Sequence, residues 1–138
     1  MNKFPLYLAL ALTTGGAASW AQPQPAGNGA SGTHMCGGIG QGDQQRMKDA
    51  ARDHDLMLTF ATANGSYLAD VQVQIRDSHG SAVVDVRCDG PIMLVDLPAA
   101  GSYRVTARAG GIARDRTVTL VRGKRPASAT FVWPDGTS

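Results

Sequence analysis

The residues best equipped for chemistry in this 138-residue chain are two cysteines, three histidines and a scatter of aspartates. His34-Met35-Cys36 sets three soft or borderline ligands in a row, a set that suits copper(I). Consecutive side chains rarely face one ion, however, and Met and Cys are also ordinary core residues. The histidines, His34, His54 and His79, fall in a linker, after a helix and in a turn. A zinc peptidase needs a spaced pair of ligands, a third ligand and a carboxylate to activate water. No H-E-x-x-H or H-x-x-E spacing occurs, and no G-x-S-x-G elbow is present. Asp85, Asp89 and Asp96 are the candidates for paired acid–base work, but isolated strand and turn aspartates read as solvated. These residues therefore predict no catalytic residue, no cofactor and no metal.

The cysteines carry a more definite expectation. An even count in an oxidising compartment reads as one bridge. Cys88 shares its parity with Val84 and Val86, so its side chain is expected in the core. Cys36 precedes Gly37-Gly38, where missing side chains permit a close approach to a sheet. Cys36 and Cys88 are thus the disulfide candidates; two free thiols and a metal site are the alternatives.

An oxidising compartment is expected from the first residues. Lys3, the apolar run Leu6 to Leu12 and the small-residue site Ser19-Trp20-Ala21 read as a secretory signal over residues 1–21, cleaved before Gln22. The apolar run is shorter than the roughly 20 residues needed to span a bilayer, and no later segment reaches that length. The expected location is periplasmic or extracellular, with no transmembrane segment after cleavage. Removing Lys3 takes the formal charge from +2 to +1, which gives no general attraction to nucleic acid or membrane. Charge is nevertheless uneven. After Gly101 stand Arg104, Arg108, Arg114, Arg116, Arg122, Lys124 and Arg125 against Asp115 and Asp135. That half reads either as a solvated sheet face or as a surface for an anionic partner.

The elements that must position these side chains follow from period and punctuation. Residues 22–42 are a Gly/Pro/Gln linker leading into a Gly-rich docking segment, HMCGGIGQGD. A short helix is expected over 43–54, capped by Asp43, with Met47, Ala50 and Ala51 as a narrow apolar stripe. From Leu56 the period becomes two. Leu56, Leu58 and Phe60 share a face; Val71, Val73 and Ile75 alternate with Gln72, Gln74 and Arg76; Tyr103, Val105 and Ala107 alternate with arginines. Runs at Ala82 to Cys88, Ile92 to Leu97, Ile112 to Val121 and Ala127 to Trp133 complete seven strands separated by turn signals. That spacing predicts an all-β sandwich over 55–138. In the Ile112 run, Arg114 and Arg116 share parity with Val118 and Leu120, so either a bulge or a projecting half-strand is expected. Asn64-Gly65-Ser66 matches a glycosylation sequon but reads as hairpin-turn chemistry.

The corner Leu97-Pro98-Ala99-Ala100-Gly101-Ser102-Tyr103-Arg104-Val105-Thr106-Ala107 resembles the L-P-x-G-x-Y-x-V-x-A signature of carboxypeptidase regulatory-like domains. The run from Tyr67 to Val83 also resembles that family, and the similarity spans about residues 56–133. It implies a seven-stranded transthyretin-like (prealbumin-like) sandwich with one short N-terminal helix. The extra alanine of P-A-A-G lengthens the corner by one residue. Residues 37–40 and the helix resemble what precedes this domain in small exported bacterial proteins. The resemblance does not bring an enzyme with it. The accompanying peptidase is missing, and the histidines and Y-R-G-S tail of the ureide hydrolases with this fold have no counterpart. The expectation is an exported, non-enzymatic binding or accessory module of the envelope with an unknown protein or envelope partner. The alternatives are a structural or protein-interaction protein and a carbohydrate- or metal-binding sandwich. An exposed Phe131/Trp133 pair would favour sugar stacking, and a packed Trp133 would favour protein interaction.

Overall fold

The structure, a computed structural model, describes residues 32–123 and 126–138. The expected signal at 1–21 and most of the linker lie outside the described residues. In chain order the elements are β1 (Thr33–Gly37), α1 (Gln41–Ala50) with a 3-10 turn (Ala51–Asp53), β2 (Leu56–Thr62), β3 (Val71–Arg76), β4 (Ala82–Cys88), β5 (Ile92–Asp96), β6 (Gly101–Ala109), β7 (Ile112–Leu120) and β8 (Ala127–Trp133). They form two four-stranded sheets, ordered β1-β5-β2-β8 and β4-β3-β6-β7. The neighbours are antiparallel except β2 and β8, which run parallel.

The all-β sandwich expected from the alternation is present, with eight strands among the described residues rather than seven. The additional strand is β1, which lies in the stretch expected to be a Gly-rich docking segment. Its register with β5 runs from Thr33↔Asp96 to Gly37↔Ile92. The cause lies in β5. Ile92, Met93, Leu94 and Val95 are all buried, so this strand needs a neighbour on each edge and cover on each face. Met93 and Val95 enter the core between the sheets, whereas Ile92 and Leu94 pack with Met47 on the other side.

That second cluster is where α1 docks. A ten-residue helix is marginal on its own, and its one fully buried side chain, Met47, ties it to the sheet. Burying such a side chain contributes roughly 1.5–3 kcal/mol. The helix begins two residues before the expected start, and Asp43 does not cap it. Gly40 occupies the cap position at φ 87°, and Asp43 sits in the first turn. From there its carboxylate reaches back to accept the Gly38 N–H and the Arg46 guanidinium. These bonds hold the Asp43 carboxyl below its ordinary pKa, the Gly38 N–H being the larger cause.

The core between the sheets is made by the alternating residues. Leu56, Leu58, Phe60, Val71, Val73, Ile75, Val105 and Ala107 are all buried. Trp133 is 1 % exposed and packs with Phe60 and Phe131 at centroid separations of 6.2 and 6.3 Å. The packed aromatic cluster removes the exposed sugar platform considered for Phe131 and Trp133. In β4 the register shifts opposite Ile75/Arg76, which buries Val83 as well as Val84. At the Pro98 corner, Gly101 has φ 138° and Tyr103 is buried. The Tyr103 hydroxyl donates to Ala99 O at 2.7 Å, a bond that spans the lengthened turn.

Candidate functional site

The two cysteines expected to pair do so. Cys36 on β1 and Cys88 at the end of β4 are bonded, with Cα atoms 5.6 Å apart. Since β1 is an edge of one sheet and β4 an edge of the other, the bridge staples one side of the sandwich. Gly32 N–H donates to Val83 O on the same side at 3.1 Å. Close approach accompanies the staple: a Cβ on Gly90 would lie 2.3 Å from Gly37 O. With Cys36 bonded, the His34-Met35-Cys36 run cannot offer its thiolate to copper. Among the described residues no group of three His, Cys, Asp or Glu side chains is placed to hold a metal ion.

The opposite side of the sandwich is closed by arginines. β7 pairs with β6 in unbroken register from Gly101↔Leu120 to Ala109↔Ile112, so the bulge alternative for β7 does not hold. Arg114 and Arg116 keep the inward parity of Val118 and Leu120, but stand where the sheet has outrun the core. They turn to the edge of β8 instead. Arg114 Nε donates to Val132 O and Arg116 Nη2 to Thr130 O, each at 3.0 Å. Trp133 Nε1 donates to Ile112 O at 3.0 Å, and Arg116 lies 5.8 Å from the Phe131 ring centre. The edge carbonyls of β8 thereby gain partners, which blunts that strand as a template for another chain.

A third polar cluster sits at the end where β2 starts and β5 ends. His54 Nδ1 is 2.9 Å from Asp96 Oδ2, while Asp55 N–H donates to Asp96 Oδ1 at 3.2 Å. Asp55 accepts the Leu97 N–H at 2.8 Å and Arg122 Nη1 at 3.3 Å, and Arg122 Nη2 donates to Leu97 O. An open cleft of about 190 Å³ adjoins the cluster. A carboxylate-oriented imidazole is half of a general-base arrangement. The cleft is lined by Arg52, Asp53, His54, Asp55, Arg122 and apolar neighbours, with no hydroxyl or thiol nucleophile among the described residues. His54, Asp55 and Arg122 are engaged in fastening three chain segments, 54–55, 96–97 and 122.

The outer face of the β4-β3-β6-β7 sheet is polar apart from Ala82 and Ala113. Register places Arg87, Gln72 and Arg108 in one row, Asp85, Gln74, Thr106 and Asp115 in the next, and Arg76 beside Arg104 in a third. Asp85 accepts from Gln72 and Gln74 at 3.3 and 3.2 Å. Asp115 accepts from Thr106 at 2.6 Å and from Arg104 at 3.3 Å. The Thr106 bond is the main cause of its carboxyl lying below the ordinary range.

Of the aspartates weighed for acid–base work, Asp85 and Asp96 hold these hydrogen bonds, Asp89 is an exposed turn residue, and no two of the three form a pair. His34 is exposed on β1 and His79 is exposed in the β3–β4 turn. The turn reading of Asn64-Gly65-Ser66 is matched by Asn64 Oδ1, which accepts the Ser66 N–H and the Thr62 hydroxyl. Sequence reasoning did not find the His54–Asp96 pair, whose members are 42 positions apart. The misplaced parity of Arg114 and Arg116 was the signal for the arginine seam. No family model matches the chain, and no curated protein matches it either.

Proposed function

We propose that this chain is an exported, non-enzymatic binding or accessory module of the bacterial envelope, with a transthyretin-like arrangement of the carboxypeptidase regulatory-like kind. The observation that carries the reading is where the chemically capable side chains are spent. Asp43, Asp55 and Asp96 each accept a backbone N–H, and His54 is held by Asp96. The one thiol pair is closed as a disulfide, a state suited to a periplasmic or extracellular location. What remains for function is surface. The built corner at Pro98 to Tyr103, with Gly101 at positive φ, supports the family likeness.

A second reading, a structural or protein-interaction protein without a small ligand, is favoured by the burial of Trp133. Both readings meet the same experiment. A photo-crosslinking amino acid at Thr117, on one outer face, or Ser128, on the other, is expressed in the full chain. A discrete adduct from one position alone is expected, together with an intact mass beginning at Gln22. Turnover of any substrate that vanishes in His54→Gln or Asp96→Asn would overturn the non-enzymatic reading. Retention of residues 1–21 would overturn export.

A further inference from the structure

We propose that the outer face of the β4-β3-β6-β7 sheet binds a carboxylated glycan, a polyuronate, through Arg87 and Arg108 on either side of Gln72. The proposal rests on the binding-module reading and names its ligand class. Of the four arginines on this face, two are committed. Arg76 donates to Gly80 O and Gln74, and Arg104 to Asp115. Arg87 and Arg108 have no hydrogen-bond or ion-pair partner among the described residues. They belong to strands on either side of β3, so they stand about 10 Å apart, two inter-strand spacings.

Gln72 lies between them with its amide nitrogen donating to Asp85, which leaves its carbonyl oxygen as an acceptor in the gap. The three side chains line one open concavity of about 460 Å³ together with Asp70, Ala109, Gly110 and Ser138. Asp70 is the one non-glycine residue at positive φ among the described residues, at 60°.

This mixture of groups selects the ligand. A guanidinium fork takes a carboxylate by two parallel hydrogen bonds. Asp70 and the Gln72 carbonyl are acceptors, so they receive hydroxyl donors, which a bare phosphate chain does not offer. A uronate polymer supplies both, its carboxylates for the arginines and its ring hydroxyls for the acceptors. Single-stranded nucleic acid is bound with the help of stacking aromatics. Protein interfaces centre on buried aromatic or aliphatic anchors. The apolar outward residues of these strands are Ala82 and Ala113, too small to serve as either kind.

The test is affinity electrophoresis or calorimetry of the full mature protein with polygalacturonate. Neutral dextran, polyglutamate and a single-stranded oligonucleotide are the comparators. Polygalacturonate alone should bind, more weakly as salt rises. Arg87→Gln/Arg108→Gln should weaken it about tenfold or more, the effect of losing charge-assisted bonds. Lys48→Gln/Arg52→Gln, which removes equal charge elsewhere, should change it less than twofold. Unchanged circular dichroism and melting of the first variant establish that it folds. Asp70→Asn removes one like charge and keeps an acceptor, so polygalacturonate should bind as well or modestly tighter; loss of binding on that change would overturn the proposal. So would preference for polyglutamate or the oligonucleotide, indifference to the arginine pair, or no binding. If the uronate fails while the parent chain still gives its discrete crosslink, the proposed ligand is wrong and the binding-module reading stands. If the crosslink is also missing, both fall.

Discussion

Removing the Cys36–Cys88 bridge tests whether a covalent staple, rather than packing, holds the sandwich's first strand in place. The bridge joins residues 52 positions apart, and in the chain-entropy description closing such a loop restrains the unfolded chain by ~4 kcal/mol. The loop contains α1, β2, β3 and most of β4, so the unfolded chain gains freedom over nearly half of the described residues when the bridge is lost. Native packing should lose less. Cys88 is fully buried, and Cys88→Ala removes one sulfur from a site whose neighbours are otherwise unchanged. Cys36→Ala/Cys88→Ala is therefore expected to lower stability by about 3–5 kcal/mol, or roughly 15 °C in melting temperature. The assay is guanidinium denaturation of the oxidised protein, the reduced protein and the double variant. Hydrogen exchange should show the largest loss of protection in Thr33–Gly37. A midpoint for the double variant within about 0.5 kcal/mol of the oxidised protein would refute the reasoning. It would mean that β1 is already held by its five-residue pairing with β5.

Three further outcomes are expected. Gly90→Ala should cost about 2 kcal/mol or more, because the new Cβ meets the backbone of Gly37 rather than a movable side chain; an unchanged denaturation midpoint would show that β1 can shift. Gly101→Val should cost at least ~1 kcal/mol by forcing a β-branched residue to φ 138°, measured the same way. The third concerns acid. Asp43 and Asp115 have folded pKa values below 3.8, so their stabilisation is complete above that value and fades as pH falls through the lowered folded values. Denaturant midpoints from pH 6 to pH 2 should therefore fall at the acid end, and Asp43→Asn should flatten that fall.

Alternation made most of the strands readable. Val71/Val73/Ile75 and Tyr103/Val105/Ala107 bury one parity and expose the other. The apolar run Ile92 to Val95 also marked a strand, but its second buried face became understandable when α1 was seen on it. β1 escaped because glycines and a single Cys carry no period, and its extended form is imposed by β5. Asp43 misled because an aspartate before a helical run serves a cap or a loop N–H equally well; here Gly38 is its partner. The disulfide was legible since parity aims Cys88 inward and glycines follow Cys36. The row Arg87, Gln72, Arg108 was not, because adjacency across three strands is a property of register, which no local pattern encodes.

The parallel pairing of β2 with β8 has a consequence for how the chain reaches this fold. β3 with β4 and β6 with β7 are hairpin neighbours, so the second sheet can begin from contacts made within a few tens of residues. The first sheet has no hairpin at all. β1 must find β5, and residues 56–62 must wait for residues 127–133 before Phe60 meets Phe131 and Trp133. Non-local pairings of this kind slow folding, since loop closure precedes its reward. A chain emerging from synthesis therefore cannot complete its first sheet, or close the Phe60 end of its core, until residues 127–133 are available.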